Sequence, residues 1–306
     1  MRTPWGELPV SDAHVHLFSR RFFEALAREK GLEVDALGQT LGWRIPPEDP
    51  AAVAATWVAE FDRYGVQTAC MIASMPGDHD SVLAAARTFP NRLVPYAMVN
   101  PLQAGAIETV RDAVATGLRG ICLFPAMHRY SMHADAVSAL LDAVATARPV
   151  VFVHCGVLSV GVRNKLGLPS RFDMRFSNPV DLHEVALRYP GLSFVVPHFG
   201  AGYFREALML CDLCQNVYLD TSSSNSWMRY EPSAPNLRDV FRRALDVVGA
   251  RRLLFGTDSS FFPRGWNAPV FEAQATALYE VGASEGDARA VLHGNLRALL
   301  GCDGHF

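Results

Sequence analysis

The chain has 306 residues, half of them apolar, a formal net charge of −3 and a pI of about 6.4. This length and apolar content allow one large barrel or two smaller domains, and the nearly balanced charge argues against a nucleic-acid partner or a basic membrane-binding patch. No apolar run reaches the roughly 18 to 20 residues of a membrane span, and residues 1–7 lack the apolar core of a signal peptide, so we expect a cytoplasmic protein.

Segments rich in valine, isoleucine and leucine alternate with amphipathic segments along the chain. The strand-like runs end at 14–16, 74, 99, 124, 154, 198, 220 and 258, and helix-like stretches cover 50–64, 79–88, 104–116, 134–147, 179–189, 203–213 and 235–248. Two further helices are predicted near 270–281 and 285–300. Eight strands with helical crossovers predict a single domain over 1–306, a distorted (β/α)8 barrel of the α/β class with extra C-terminal helices.

An open doubly wound sheet is the alternative architecture. Such a sheet usually carries a glycine-rich phosphate-binding turn after its first strand, whereas here the first strand ends in His14-Val-His16. The closed barrel is therefore favoured.

Five connections that follow the C-terminal end of a strand are long. They cover 17–49, 124–133, 155–178, 221–235 and 259–269. In a parallel barrel the loops on this side surround the substrate pocket, so the sequence places the functional face at the C-terminal ends of the strands.

Three histidines and an aspartate end strand-like runs and are expected at this mouth: His14, His16, His154 and Asp258. His14 and His16 point to the same face, because side chains alternate along a strand. Neutral imidazoles can bind one divalent ion at about 2.1 Å. The set leaves a position for a water molecule, whose pKa the ion would lower towards neutrality so that hydroxide is available at pH 7.

His198 ends the sixth strand beside this set. Two roles are open for it, a further metal ligand or an acid–base group that polarises a substrate carbonyl. Asp258 is expected both to bind the metal and to accept a proton from the nucleophilic water. Its structural alternative is a helix N-cap, because aspartate caps helices well.

The order His-x-His, His, His and Asp, with the segment Phe255-Gly-Thr-Asp258-Ser, resembles the amidohydrolase superfamily, in particular its amidohydrolase-related (Amidohydro_2) branch. The resemblance covers nearly the whole chain, with matches at Asp12–His16, Gly117–Pro125, Pro149–Gly156, Pro197–Gly202 and Val291–Leu300. It implies a TIM barrel with metal ligands at His14, His16, His154 and Asp258, and it makes His198 a catalytic or substrate-contacting neighbour. The implied ion is divalent, zinc in the first place and manganese as the alternative.

One departure from this family bears on the number of metal ions. Binuclear relatives often carry a carboxylated lysine on the fourth strand that bridges two ions. The matching position here is Cys122, and the two lysines, Lys30 and Lys165, lie outside the strand-like runs. No carbamate bridge can form, so the resemblance implies one ion per chain. Cys122 is either a small apolar wall residue or a thiolate that approaches the metal.

The long loops carry cationic and aromatic side chains that suit a planar anion. Arginine pairs with a carboxylate through two parallel hydrogen bonds, and aromatic walls suit ring-bearing substrates. We expect at least one loop arginine to reach the pocket. The candidate substrate-binding residues are Arg175, Arg264, Trp227, Trp266 and His128, and Arg129, Arg163 and Arg171 lie in the same loops.

The pattern favours a metal-dependent hydrolase of a small, carboxylate-bearing lactone, ester or amide, in which Asp258 and His198 move protons. The same residues serve a non-oxidative decarboxylase of an aromatic or unsaturated acid, which is the alternative. A barrel that binds a ligand without catalysis is the third hypothesis. The expected partner is a small molecule, with no nucleic acid and no membrane, and the expected assembly is a homo-oligomer, a dimer.

Overall fold

The computed structural model describes residues 1–170, 172–222 and 225–301, so Arg171 lies outside the described residues. A short antiparallel hairpin of β1 (Arg2–Thr3) and β2 (Gly6–Glu7) comes first. Eight parallel strands then form one sheet in chain order: β3 (Val10–Leu17), β4 (Val66–Ala73), β5 (Leu93–Val99), β6 (Gly120–Leu123), β7 (Val150–Val153), β8 (Phe194–Val196), β9 (Val217–Asp220) and β10 (Leu253–Leu254).

The sheet closes between its first strand and the segment that follows its last strand. The Asp258 N–H donates to His14 O at 2.9 Å, and the His16 N–H donates to Ser259 O at 2.7 Å. The predicted barrel of eight parallel strands is therefore confirmed. Closure brings the C-terminal ends of all eight strands to one mouth.

Helices cover the outside of the barrel and occupy its long loops. Their bounds are α1 (Arg20–Lys30), α2 (Val34–Leu41), α3 (Pro50–Tyr64), α4 (His79–Thr88), α5 (Ala106–Ala115), α6 (Pro125–His128), α7 (Asp135–Val144), α8 (Gly161–Lys165), α9 (His183–Arg188), α10 (Phe204–Leu213), α11 (Leu237–Val247), α12 (Ala268–Glu280), α13 (Glu285–Arg289) and α14 (Asn295–Leu299). Within the described ranges, none of them combines the length and apolar character that a membrane span requires.

The amphipathic pattern located the helices that pack on the barrel and missed two in the first long loop. Helices α3 and α4 have the bounds that the pattern predicts. The connection 17–49, by contrast, contains α1 and α2. The Ser19 side chain caps the start of α1, and glycines with positive φ, Gly31 at 72° and Gly42 at 65°, end the two helices. These are ordinary helix signals, but they mark short helices that cover the barrel mouth instead of its side.

Helices α1, α2 and α8 share a hydrophobic core of their own. Its buried members are Phe23, Leu26, Ala27, Leu37, Leu41, Val162 and Leu166. Arg163 of α8 also pairs with Glu29 of α1, with 2.7 Å between Nη1 and Oε2. Residues 18–45 and 160–168 therefore pack together as one unit, which we call the cap.

A buried carboxylate reinforces the closure of the barrel. Both oxygens of Asp12 accept two hydrogen bonds, Oδ1 from the backbone N–H groups of His14 (2.9 Å) and Thr257 (3.1 Å), and Oδ2 from the Thr257 hydroxyl (2.5 Å) and the Trp266 indole (2.7 Å). Burial raises the pKa of Asp12 to about 6, although these hydrogen bonds act to lower it. Asp12 thus ties the first strand to the loop after the last strand.

We expect Asp12→Asn to lower the free energy of unfolding by about 2 to 4 kcal/mol, because either orientation of the amide turns an N–H towards buried donors. Chemical denaturation followed by circular dichroism measures this change. The control is Asp80→Asn, since the Asp80 side chain is 77% exposed, and its effect should stay within about 0.5 kcal/mol. Equal effects of the two substitutions would show that Asp12 does not stabilise the closure.

Candidate metal centre

The barrel mouth opens into a cavity of about 490 Å³ that all five residues predicted to bind metal or catalyse line: His14, His16, His154, His198 and Asp258. The first two belong to β3, and the others follow β7, β8 and β10. Parallel strands bring these positions together, although they are far apart in the sequence.

Three ligand atoms of this set converge. His14 Nε2 lies 3.3 Å from His16 Nε2, and Asp258 Oδ1 lies 3.2 Å from His16 Nε2 and 3.7 Å from His14 Nε2. Ligands that bind one ion at about 2.1 Å are themselves roughly 3.0 to 3.4 Å apart. The triangle formed by these three atoms therefore has the size that one divalent ion needs.

Hydrogen bonds behind the two imidazole rings decide which nitrogen faces the triangle. His14 Nδ1 donates to Asp220 Oδ2 at 2.6 Å, and His16 Nδ1 donates to Ser74 Oγ at 2.8 Å. The Ser74 hydroxyl in turn donates to Ile72 O at 3.2 Å. With both protons on Nδ1, the two Nε2 atoms carry lone pairs and face a carboxylate oxygen. A set of three acceptors at this distance suits a bound cation.

Asp258 reaches the triangle through an unusual backbone turn. Its φ is 58°, in the left-handed region that non-glycine residues seldom adopt, and His198 has a φ of 56°. Such conformations cost on the order of 1 to 3 kcal/mol and persist where the surroundings enforce them, often at functional sites. Burial acts to raise the pKa of Asp258, but the imidazoles of His16 and His14 beside it hold that pKa below its usual range.

His154 and His198 stand beside the triangle. The ring centroids of His154 and His198 lie 5.4 Å apart, and those of His198 and His14 lie 5.1 Å apart. His154 lies outside the group whose ligand atoms are all within 4.8 Å of one another, and its Nδ1 is buried with no hydrogen-bond partner among the described residues. His198 Nδ1 donates to Ser222 O at 3.0 Å, which leaves Nε2 as its available nitrogen.

Burial sets the protonation of most of these imidazoles. It lowers the pKa of His16, His154 and His198, and for the last two the neighbouring histidines lower it further. Those rings are therefore neutral near pH 7, as metal ligation and proton acceptance require. His14 differs, because the Asp220 carboxylate raises its pKa although burial opposes this.

Sequence reasoning missed three residues that support the site: Ser74, Asp220 and Ser222. Ser222 Oγ lies 2.9 Å from His14 Nδ1 and 3.0 Å from the same atom of His198, and the Ser222 N–H donates to Asp220 Oδ1 at 2.5 Å. Asp220 ends β9, so its position at a strand end was a usable signal. Ser74 directly follows β4 and carries the same signal, whereas Ser222 lies two residues beyond the end of β9.

The structure separates the two arginines predicted to bind substrate. Arg264 lines the cavity, and its Nη2 donates to Asp258 O at 3.0 Å and to Ser260 Oγ at 2.9 Å. The Arg175 side chain is 82% exposed and pairs with Asp173 at 2.6 Å. Arg175 is not among the described residues that line the cavity, so we do not retain it in the site.

The predicted tryptophans and His128 also lie off the cavity. Trp266 is 1% exposed, and its indole N–H is taken by Asp12. Trp227 is buried against Phe204, with 5.8 Å between ring centroids. His128 is half-buried, and burial lowers its pKa to about 4. These loops fold back onto the barrel core, so their large side chains pack inwards and do not form the cavity wall.

Other aromatic residues line the cavity in their place. We call Phe18, Phe22, Trp43 and Phe261 the aromatic wall. The rings are nearly parallel, with centroid distances of 4.3 Å for Phe22–Phe18, 6.2 Å for Phe18–Trp43 and 3.9 Å for Trp43–Phe261. Three of them belong to the cap and one to the loop after β10, so the wall joins two loops that are distant in sequence.

Cys122 is an apolar residue of the barrel interior. It pairs with Met98 on β5 and Phe152 on β7, and it is fully buried. Burial raises the pKa of its thiol, so the sulfur stays protonated and is a poor metal ligand. The position that matches the bridging lysine of binuclear relatives is thus occupied by a small side chain of the core.

A family model described as Amidohydrolase (Amidohydro_2) matches residues 11–302. Among curated proteins, Protein fluG of Emericella nidulans is 34% identical to this chain over 87 residues. That match covers 28% of this chain and 10% of the relative, so the chain spans about a tenth of the length of the curated relative.

Solved structures with the same fold cover almost the whole chain. The 5-carboxyvanillate decarboxylase LigW from Sphingomonas paucimobilis has a TM-score of 0.64 at 15% identity, covering 96% of this chain and 99% of its own. A probable 2-pyrone-4,6-dicarboxylic acid hydrolase from Acinetobacter baumannii has a TM-score of 0.60 at 14% identity, covering 96% of this chain and 100% of its own. The 5-carboxyvanillate decarboxylase LigW2 from Novosphingobium aromaticivorans, solved with bound manganese, has a TM-score of 0.64 at 14% identity, covering 97% of this chain and 98% of its own.

We expect Asp220→Asn to weaken the binding of a divalent ion by about 10- to 100-fold, because an amide holds the Nδ1 proton of His14 less firmly and makes the ring a poorer ligand. Competition with a chromogenic chelator measures the Kd for zinc and for manganese. Asp112→Asn is the control, since that side chain is 76% exposed and should leave both constants unchanged. Equal affinities in the two variants would contradict the role given to Asp220.

Proposed function

Because the chain belongs to the amidohydrolase family, whose members are metal-dependent enzymes, we propose that it hydrolyses a small, carboxylate-bearing lactone, ester or amide. The observation that carries this proposal is the triangle of His14 Nε2, His16 Nε2 and Asp258 Oδ1 on the cavity wall. A cavity of about 490 Å³ falls in the range of small-molecule sites.

His14, His16 and Asp258 would hold one divalent ion, with His154 as the fourth ligand from the neighbouring wall. Zinc suits a set of imidazoles and one carboxylate, and manganese, which is bound in one structure of similar fold, is the alternative. Cys122, in place of a bridging lysine, favours a single ion. When bound, the ion lowers the pKa of a coordinated water molecule and polarises the substrate carbonyl.

Asp258 and His198 would move the protons of the reaction. Asp258 has a lowered pKa, so its carboxylate is ionised and can accept a proton from the attacking water. His198 is neutral, and Ser222 O holds its Nδ1 proton at 3.0 Å. Its Nε2 can therefore exchange a proton with the reacting group in the cavity.

A non-oxidative decarboxylase of an aromatic or unsaturated acid is the second candidate. The aromatic wall favours it, because an apolar surface weakens the hydration of a substrate carboxylate and so favours loss of CO₂. Of the three structures of similar fold described above, two carry the name of a decarboxylase and one that of a hydrolase.

Incubation of the zinc- or manganese-loaded protein with a panel of lactones, esters and aromatic acids, followed by mass spectrometry, tests the proposal. We expect a product that has gained one water molecule, with no CO₂ released. Release of CO₂ would show that the protein is a decarboxylase and not a hydrolase. The absence of any turnover would favour a barrel that only binds its ligand.

Asp258→Asn is the matched variant for this assay. The amide keeps the shape of the side chain but loses the charge that attracts a cation and accepts a proton, so kcat should fall by about 1000-fold or more. The circular dichroism spectrum should stay close to that of the wild type. Retention of more than about a tenth of the activity would refute the role given to Asp258.

Arg264 is the proposed partner of the substrate carboxylate. We expect Arg264→Met to raise KM for an acid substrate by about tenfold while leaving KM for its neutral ester unchanged, because only the acid pairs with the guanidinium. Arg175→Met is the control, since Arg175 pairs with Asp173 away from the cavity. If Arg264→Met affects acid and ester alike, Arg264 is a surface charge and not a substrate-binding residue.

A further inference from the structure

We propose that Lys165 is a specificity-determining residue, which the cap holds at the cavity mouth so that, with Arg264, it selects planar substrates bearing an anionic group. The inference rests on the proposed function for the kind of molecule that enters the cavity. It concerns a part of the chain that the metal centre does not use.

The backbone of Lys165 is fixed by the packing of α8. Val162 and Leu166 on either side of it are 4% and 3% exposed and belong to the core of the cap. Arg163 attaches the same helix to Glu29 of α1 and donates from Nε to Pro169 O at 3.0 Å. A helix of five residues would not hold its place alone, so these contacts position the lysine.

The Lys165 side chain lies along the aromatic wall. Its Nζ is 5.4 Å from the ring centroid of Trp43 and 5.9 Å from that of Phe261. Arg264 contacts the same Phe261 ring, with Cζ 4.6 Å from the centroid. Both cations line the cavity, and both lie within 6 Å of the centroid of the same Phe261 ring.

Among the described residues, no carboxylate side chain forms a salt bridge with either cation, although the charge of Asp258 acts on Arg264. No residue in the described ranges forms an ion pair with Lys165, and the hydrogen bonds of Arg264 go to a backbone oxygen and a hydroxyl. Asp258 is the one acidic side chain among the described cavity residues, and it belongs to the metal centre. Two cations over an apolar wall attract an anion and leave a planar ring to pack against the aromatic side chains.

Lys30 provides a matched control, because it is the only other lysine of the chain. It ends α1, so it also belongs to the cap, and it is exposed. It is not among the described residues that line the cavity. Replacing either lysine removes one positive charge from the same structural unit, so a difference between the two variants reports on position and not on net charge.

The test is the binding of benzoate and of benzamide, its neutral isostere, to the metal-loaded protein by isothermal titration calorimetry. We expect Lys165→Met to raise the Kd of benzoate by about tenfold and to change that of benzamide by less than about twofold, while Lys30→Met changes neither. Lys165→Arg should retain the affinity of the wild type for benzoate. Higher salt should narrow the difference between wild type and Lys165→Met, because these charges are solvent-exposed.

Ring packing is tested with cyclohexanecarboxylate, which has the same charge without a flat ring. Wild-type protein should bind benzoate more tightly, and Trp43→Leu should remove that preference. The proposal is overturned if wild-type protein binds benzoate no more tightly than benzamide and no more tightly than cyclohexanecarboxylate. It is also overturned if Lys30→Met reproduces the effect of Lys165→Met. Binding is measured without turnover, so the two proposals can fail separately. The absence of hydrolysis would refute the proposed function and leave this inference standing. Equal effects of Lys30→Met and Lys165→Met would refute this inference and leave the proposed function standing.

Discussion

The closure between the first strand and the segment after the last strand is the contact on which the site depends. Asp258 donates its backbone N–H to His14 O, and Asp12 binds donors from both sides of the seam. These bonds fix the register in which the two histidines of β3 face the carboxylate of Asp258. A shift by one residue would turn His14 and His16 away from the cavity, because side chains alternate along a strand.

Three of the four imidazole rings at the candidate metal centre are each oriented by a partner from elsewhere in the barrel, whereas His154 Nδ1 has no partner among the described residues. Asp220 holds His14, Ser74 holds His16, and Ser222 holds His198. Because the hydrogen-bonded nitrogen of each of these rings is Nδ1, all three rings adopt the same tautomer. The Nε2 atom of each ring is then available to bind a metal ion or to accept a proton. The geometry of the site therefore follows from the ring of strands as a whole, and it tolerates little movement of any one of them.

The cap adds an aromatic surface to the cavity without changing the core of the barrel. Its helices bury their apolar faces against one another, in a cluster separate from the main core of the barrel. The edge of the cap that carries Phe18, Phe22, Trp43 and Lys165 faces the cavity. The candidate metal centre and most of the aromatic wall thus lie on separately packed parts of the chain, so one can vary while the other is preserved.

Much of this arrangement could be predicted from the order of residues. The period of apolar residues identified the barrel strands and most helices, and the position of His14, His16, His154, His198 and Asp258 at strand ends identified the residues of the mouth. These predictions succeed because strand periodicity and the parallel barrel dictate where a strand end lies, whatever the loops do.

The tertiary structure alone decided the groups that depend on long-range contacts. Asp220, Ser74 and Ser222 gain their roles only when neighbouring strands place them behind the rings. Loop residues were harder still: Trp227 and Trp266 fill the core, while Trp43, Phe261 and Lys165 reach the cavity. A loop side chain can turn inwards or outwards at similar local cost, so its direction is set by the packing of distant segments and not by its own neighbours in the sequence.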